Sequence, residues 1–154
     1  MSEMLEHRRA VPADAEAVRA LTRQAYAKWV PLIGREPKPM QADYVAAIAT
    51  HRIDLVHVGG TLAGLIETVA EAGHLLIENV AVSPAFQGRG IGRTLMAHAE
   101  RLAAVSGYGE LRLYTNQRFA TNIALYLKLG YRIEREERLP HGVAVHMSKS
   151  IREK

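Results

Sequence analysis

A chain of 154 residues with 48% apolar and 23% charged side chains has the composition of one ordinary globular domain, residues 1–154, able to bury a core without cross-links. Cysteine is absent, which excludes disulfide frameworks, thiol nucleophiles and cysteine-ligated zinc, and fits a reducing cytoplasm. The formal charge of +4 is spread along the chain, so no nucleic-acid partner is expected; no signal-like apolar run opens it, and none reaches the ~18 residues of a membrane span.

Pro12 and Asp14 open a helical pattern that puts Val18, Leu21 and Ala25 on one face. Pro31 to Pro39 (PLIGREPKP), with three prolines and a glycine, reads as an irregular loop. Met40 to Thr50 reads as a second, short helix. Asp54 to Val58 and Leu62 to Val69 read as strands joined by a tight turn at Gly59-Gly60, and a third strand from His74 to Val82 stops at Ser83-Pro84. Apolar residues then recur at helical spacing from Ile91 through Leu95 and Ala99 to Ala103, and that helix ends near Ser106-Gly107. A strand over Leu111 to Thr115 follows. Thr121 or Asn122 opens a helix closed by Gly130, in glycine's usual place just past a helix end. Tyr131 to Glu137 and Val143 to Ser148 form a last hairpin turned at Pro140 to Gly142. With a leading strand, this order gives a mixed α/β (α+β) domain with antiparallel hairpins around one strand-helix-strand crossover.

The segment from Gln87 to Gly92 (QGRGIG) joins a strand to a helix N-terminus. There, free backbone N–H groups and the helix dipole favour an anion, and glycines let the backbone approach phosphate oxygens. Arg89 and Arg93 add charge. A dinucleotide fingerprint would need glycine or alanine where Arg93 stands, and the nucleoside-triphosphate loop pattern occurs nowhere. The glycines alone fit a plain tight connection equally well.

The run VAVSPAFQGRGIG, Val80 to Gly92, closely resembles the acyl-coenzyme A signature of the GNAT N-acetyltransferase superfamily, with Gln87, Gly90 and Gly92 at its defined positions. NIALYLKLGY, Asn122 to Tyr131, is similar to that family's second hallmark, at the expected separation. The resemblance extends over nearly the whole chain. It implies a GNAT-like, mostly antiparallel sheet flanked by about four helices, and transfer of an acetyl group from acetyl-CoA to a primary amine by direct attack.

By that resemblance, the backbone of Gln87, Gly88, Arg89, Gly90, Ile91, Gly92 and Arg93 holds the pyrophosphate. Val80, Ala81 and Val82 meet the pantetheine arm, the Val80 N–H faces the thioester carbonyl, and Asn122 reaches the pantetheine or adenosine side. Tyr126 takes the place of the acid beside the leaving thiolate; the other reading packs its ring in the core with the hydroxyl at the edge. Glu78 is a charged residue inside the apolar strand LLIENVAV, which is costly without a task or partner. By strand alternation it shares a face with Val80 and Val82, so it could take the proton of the incoming ammonium, or else orient the substrate or pair with an arginine. Asn79 falls on the opposite face unless a bulge intervenes.

Tyr114, Thr115 and Asn116 end the strand after the glycine-led helix, where open sheets border ligands. In this family the segment between the first two helices forms part of the acceptor pocket. Here it offers Tyr26, Trp29, Ile33, Arg35, Pro39, Met40 and Tyr44, with Arg35 or Lys38 suited to an anionic group; packing of Tyr26, Trp29 and Tyr44 between helices is the other reading. His141 and His146, at odd spacing, fall on opposite strand faces, and no metal-ligand pattern occurs, so no metal is expected. A protein or peptide acceptor, or a catalytically silent acyl-coenzyme A-binding regulator, are the alternative functions. A homodimer through an apolar strand edge is compatible with the chain, although no residue identifies the edge.

Overall fold

The computed structural model describes residues 4–151. Strand β1 (Leu5–Arg9) leads into helix α1 (Ala15–Tyr26), two helical turns α2 (Val30–Ile33) and α3 (Lys38–Gln41), and helix α4 (Tyr44–Thr50). Then come β2 (Arg52–Val58), β3 (Thr61–Glu71), β4 (His74–Val82), α5 (Ile91–Val105), β5 (Glu110–Asn116), α6 (Ala120–Lys128), β6 (Arg132–Leu139) and β7 (Gly142–Ser150). They form one seven-stranded sheet in the order β1-β2-β3-β4-β5-β7-β6. Every pairing is antiparallel except that of β4 with β5, which flank the α5 crossover.

Each sheet face carries its own core. On one, α5 buries Ile91, Leu95, Met96, Ala99 and Ala103 against Val56, Ile66, Ile77, Leu113 and Met147. On the other, α1 and α4 bury Val18, Leu21, Ala25, Tyr44 and Ala47 against Ile53, Leu55, Leu65 and Ala81. Each fully buried aliphatic side chain contributes about 1.5–3 kcal/mol. Gly64 seats α5 on the sheet: a Cβ there would stand 3.0 Å from Ile91 Cγ2 and 3.1 Å from both Ala81 O and Leu95 Cδ1.

The Pro31–Pro39 segment corrects the expectation of an irregular loop. Pro31 and Pro39 begin helical turns, where a missing N–H costs nothing. The helix expected from Met40 is broken at Ala42, and Asp43 caps a fresh start by accepting from Ala46 N at 3.1 Å. The last long helix opens at Ala120, ahead of Thr121. His141 lies in the β6–β7 turn, so only His146 has a strand face. Among the described residues no helix is long and apolar enough to cross a membrane.

Candidate active site

The sheet divides at its one parallel pairing. β4 and β5 are matched only from Leu75 to Ile77 against Leu111 to Leu113, and beyond those positions the two strands part. The C-terminal half of β4, from Glu78 to Val82, keeps β3 on one side and faces a gap on the other. Helix α6 brings Tyr126 to this gap, and the end of α1 brings Tyr26.

One cavity, of about 350 Å³, runs from the gap to the start of α5. Val80 to Val82, Asn122 and the Gln87–Arg93 loop line it; Arg89 does not, its guanidinium lying 5.1 Å from the Phe86 ring centre. Gly88 and Gly90 have φ of +79° and +82°, and a Cβ on either would stand in open space, so the loop exposes its backbone to the cavity. Gly90 is the N-cap of α5, and the free N–H groups of the first turn follow it. Gln87 Nε2 donates to Val82 O at 3.3 Å, tying the loop to β4.

A second, wider cavity of about 840 Å³ is walled by the segment from Ile33 to His51, the middle of β4 from Ile77 to Val80, the end of β5 and the β6–β7 hairpin. The two cavities share four lining residues, Tyr26, Val80, Asn122 and Tyr126. Tyr114 and Asn116 line the wider cavity, and Tyr26 lines both. Trp29 lines only the narrower one, stacked on Phe119 with ring centres 4.3 Å apart.

The expected face of Glu78 needs correction. Glu67 pairs with Asn79 and Thr68 with Ile77, so Glu78 is the extra residue of a β-bulge. The bulge resets the alternation: Ile77, Val80 and Val82 face the α5 core, while Asn79 and Ala81 face α1. Glu78 therefore lies across from Val80 and Val82, with Tyr114, whose hydroxyl is 3.5 Å from both carboxylate oxygens. Burial first, and then the nearby Glu67 carboxylate, raise the Glu78 pKa above its ordinary value, against the pull of Lys38 and His51. Burial and the Glu78 carboxylate push the Tyr114 phenol up to about 12.

Asn79, which the sequence placed away from substrate, is the hub of the bulge. Its Oδ1 accepts from Tyr26 Oη at 2.8 Å, and its Nδ2 donates to Tyr44 Oη at 3.2 Å and Thr22 Oγ1 at 3.4 Å. Tyr44 in turn donates to Pro39 O at 2.6 Å, and Tyr26 Oη also lies 3.3 Å from Val80 O. One buried amide thus ties the bulge to α1, α4 and the intervening segment. Tyr126 is half-buried with its ring centre 6.0 Å from that of Tyr131, and desolvation pushes its phenol up to about 12. Sequence reasoning also missed Glu67 and Glu137, which pair with His51 at 2.6 Å and His146 at 2.9 Å. These contacts join residues far apart in the chain and leave no local signal. Among the described residues no cluster of acidic or histidine side chains could hold a metal ion.

Residues 44–133 match the family described as the acetyltransferase (GNAT) domain. The chain belongs to the GNAT family. Its fold is shared with the PaiA N-acetyltransferase from Thermoplasma acidophilum, solved in complex with coenzyme A, at a TM-score of 0.81 and 20% identity over 96% of this chain and 99% of that one. The ribosomal-protein-S18-alanine N-acetyltransferase from Escherichia coli superposes with a TM-score of 0.76 at 21% identity, covering 98% of this chain and 96% of that one. By sequence, this GNAT chain is 37% identical to streptothricin acetyltransferase from Streptomyces lavendulae over 49% of its own length and 41% of that protein. It is 28% identical to spermidine N(1)-acetyltransferase from Thermoplasma acidophilum over 53% of each. The chain spans about half the length of these curated relatives.

Proposed function

We propose that this chain is an N-acetyltransferase that moves the acetyl group of acetyl-CoA directly to the primary amine of a small acceptor. The meeting of the two cavities at Tyr26, Val80, Asn122 and Tyr126 carries the reading, because it gives two ligands separate beds and one common point. The narrower bed suits coenzyme A: its loop offers backbone donors with no Cβ in the way, and the unpaired edge of β4 can accept an amide-bearing arm as it would a strand. When bound, acetyl-CoA supplies an acyl carbon activated as a thioester.

Glu78 lines the wider bed beside Asn79 and Val80, where a carboxylate of raised pKa would take the proton that an alkylammonium must lose before nitrogen can attack. Tyr126 faces the other partner of the exchange. Desolvation pushes its phenol up to about 12, so the hydroxyl keeps its proton in the free protein and can donate toward a thiolate. Its role is therefore to donate a hydrogen bond to the departing sulfur. The relatives named for streptothricin and spermidine support a small amine acceptor.

The test is calorimetry with coenzyme A together with thiol release across a panel of primary amines. Binding should weaken as salt rises. Gly92→Glu should abolish it without strain, because Gly92 has no positive φ and its Cβ would meet only Val82 Cγ2, at 3.9 Å. A folded wild type that binds no coenzyme A would end the proposal, and one that binds it but acetylates no amine would leave a silent binder.

A further inference from the structure

Among the described residues four carboxylates line the wider cavity, and three of them already have a hydrogen-bond partner. Asp43 caps α4, Glu67 is held by His51 and Glu137 is held by His146. Only Glu78, with its long contact to Tyr114, remains to meet an ammonium group. The cavity's full cations are in the opposite condition. Arg35 lines it with its Nε buried and without a hydrogen-bond partner, and Lys38 lines it without an ion pair among the described residues.

The backbone next to Arg35 is held by Arg23. Arg23 bridges Glu36 at 2.7 Å and donates to Met40 O at 2.8 Å, so Glu36 is committed elsewhere and the segment is pinned at both ends. A buried N–H left unpaired costs free energy in the free protein, and native structures retain such groups where a ligand satisfies them. The Nε edge of a guanidinium, with its adjacent Nη, is the fork that grips a carboxylate through two parallel hydrogen bonds.

Resting on the acetyltransferase reading above, we infer that the acceptor is an amino carboxylate: its amine lies toward Glu78 and its carboxylate on the Arg35 fork, with Lys38 adding charge.

The experiment uses the full chain saturated with coenzyme A and measures, by calorimetry, binding of a homologous series of ω-amino carboxylates, their carboxamides and the matching diamines. At its best length the carboxylate should bind about 10- to 100-fold more tightly than its carboxamide. Arg35→Gln should erase that preference and Arg35→Lys should restore only part of it, both with unchanged coenzyme A affinity. Equal binding of carboxylate and carboxamide, tighter diamines, a preference surviving Arg35→Gln, or no amino carboxylate bound at all would each overturn the inference and leave the acetyltransferase reading intact. Failure to bind coenzyme A would instead strike that reading itself.

Discussion

Replacing Asn79 by alanine removes the amide that ties the β4 bulge to the helical side of the domain. Two sound hydrogen bonds are lost, from Tyr26 at 2.8 Å and to Tyr44 at 3.2 Å, with a weaker one to Thr22 at 3.4 Å. The two tyrosines are not stranded, because Tyr26 Oη keeps Val80 O at 3.3 Å and Tyr44 Oη still donates to Pro39 O, whereas the fully buried Thr22 hydroxyl loses its amide partner. Each tyrosine bond therefore costs near the net value of a hydrogen bond, ~1 kcal/mol, the weak Thr22 contact adds up to about 1 kcal/mol more, and the sum is ~2–3 kcal/mol. For a chain of this size that lowers the Tm by about 4–12 °C. Urea unfolding should show a lower midpoint with an unchanged m-value. Thiol release at a temperature where the variant stays folded should fall further than stability alone explains, because the bulge presents Glu78. A midpoint within ~0.5 kcal/mol of wild type, the range of an ordinary surface change, would refute the reasoning.

Tyr126→Phe should lower turnover by roughly 10- to 100-fold, the loss of one hydrogen bond to a charged leaving group, with coenzyme A affinity nearly unchanged; unaltered turnover with chemistry rate-limiting would return Tyr126 to packing. Glu78→Gln should depress the rate most at low pH, the defect shrinking as the amine itself deprotonates, whereas a uniform loss would assign Glu78 to acceptor positioning. The same substitution should raise stability at neutral pH. With its folded pKa raised, the Glu78 contribution is fully present below the unfolded value and lost as pH rises through the folded one, and glutamine escapes that loss.

The glycine-led helix start and the hairpins were legible because each is written locally. Gly88 and Gly90 stand where φ is positive, and Ile91, Leu95 and Ala99 mark the buried face of α5. The bulge was not legible, since no glycine or proline announces it. Two residues oppose one only when β3 and β4 are laid side by side, and the face of Glu78 followed from that pairing. The Asp43 cap could have been read from its place before Tyr44, and with it the break between α3 and α4. The engagement of Glu67 and Glu137 by histidines could not, because His51 precedes β2 and His146 lies across the β6–β7 hairpin.

The parting of β4 from β5 has a consequence for motion. Past Ile77, amides on the open side of β4 have no strand to hold them, although their neighbours pointing to β3 stay paired through Val82. One short segment should therefore show both fast and slow hydrogen exchange, alternating along the chain. A ligand lying along that edge would slow only the fast amides. Exchange measured residue by residue would then trace where the arm lies, even for a compound that is never turned over.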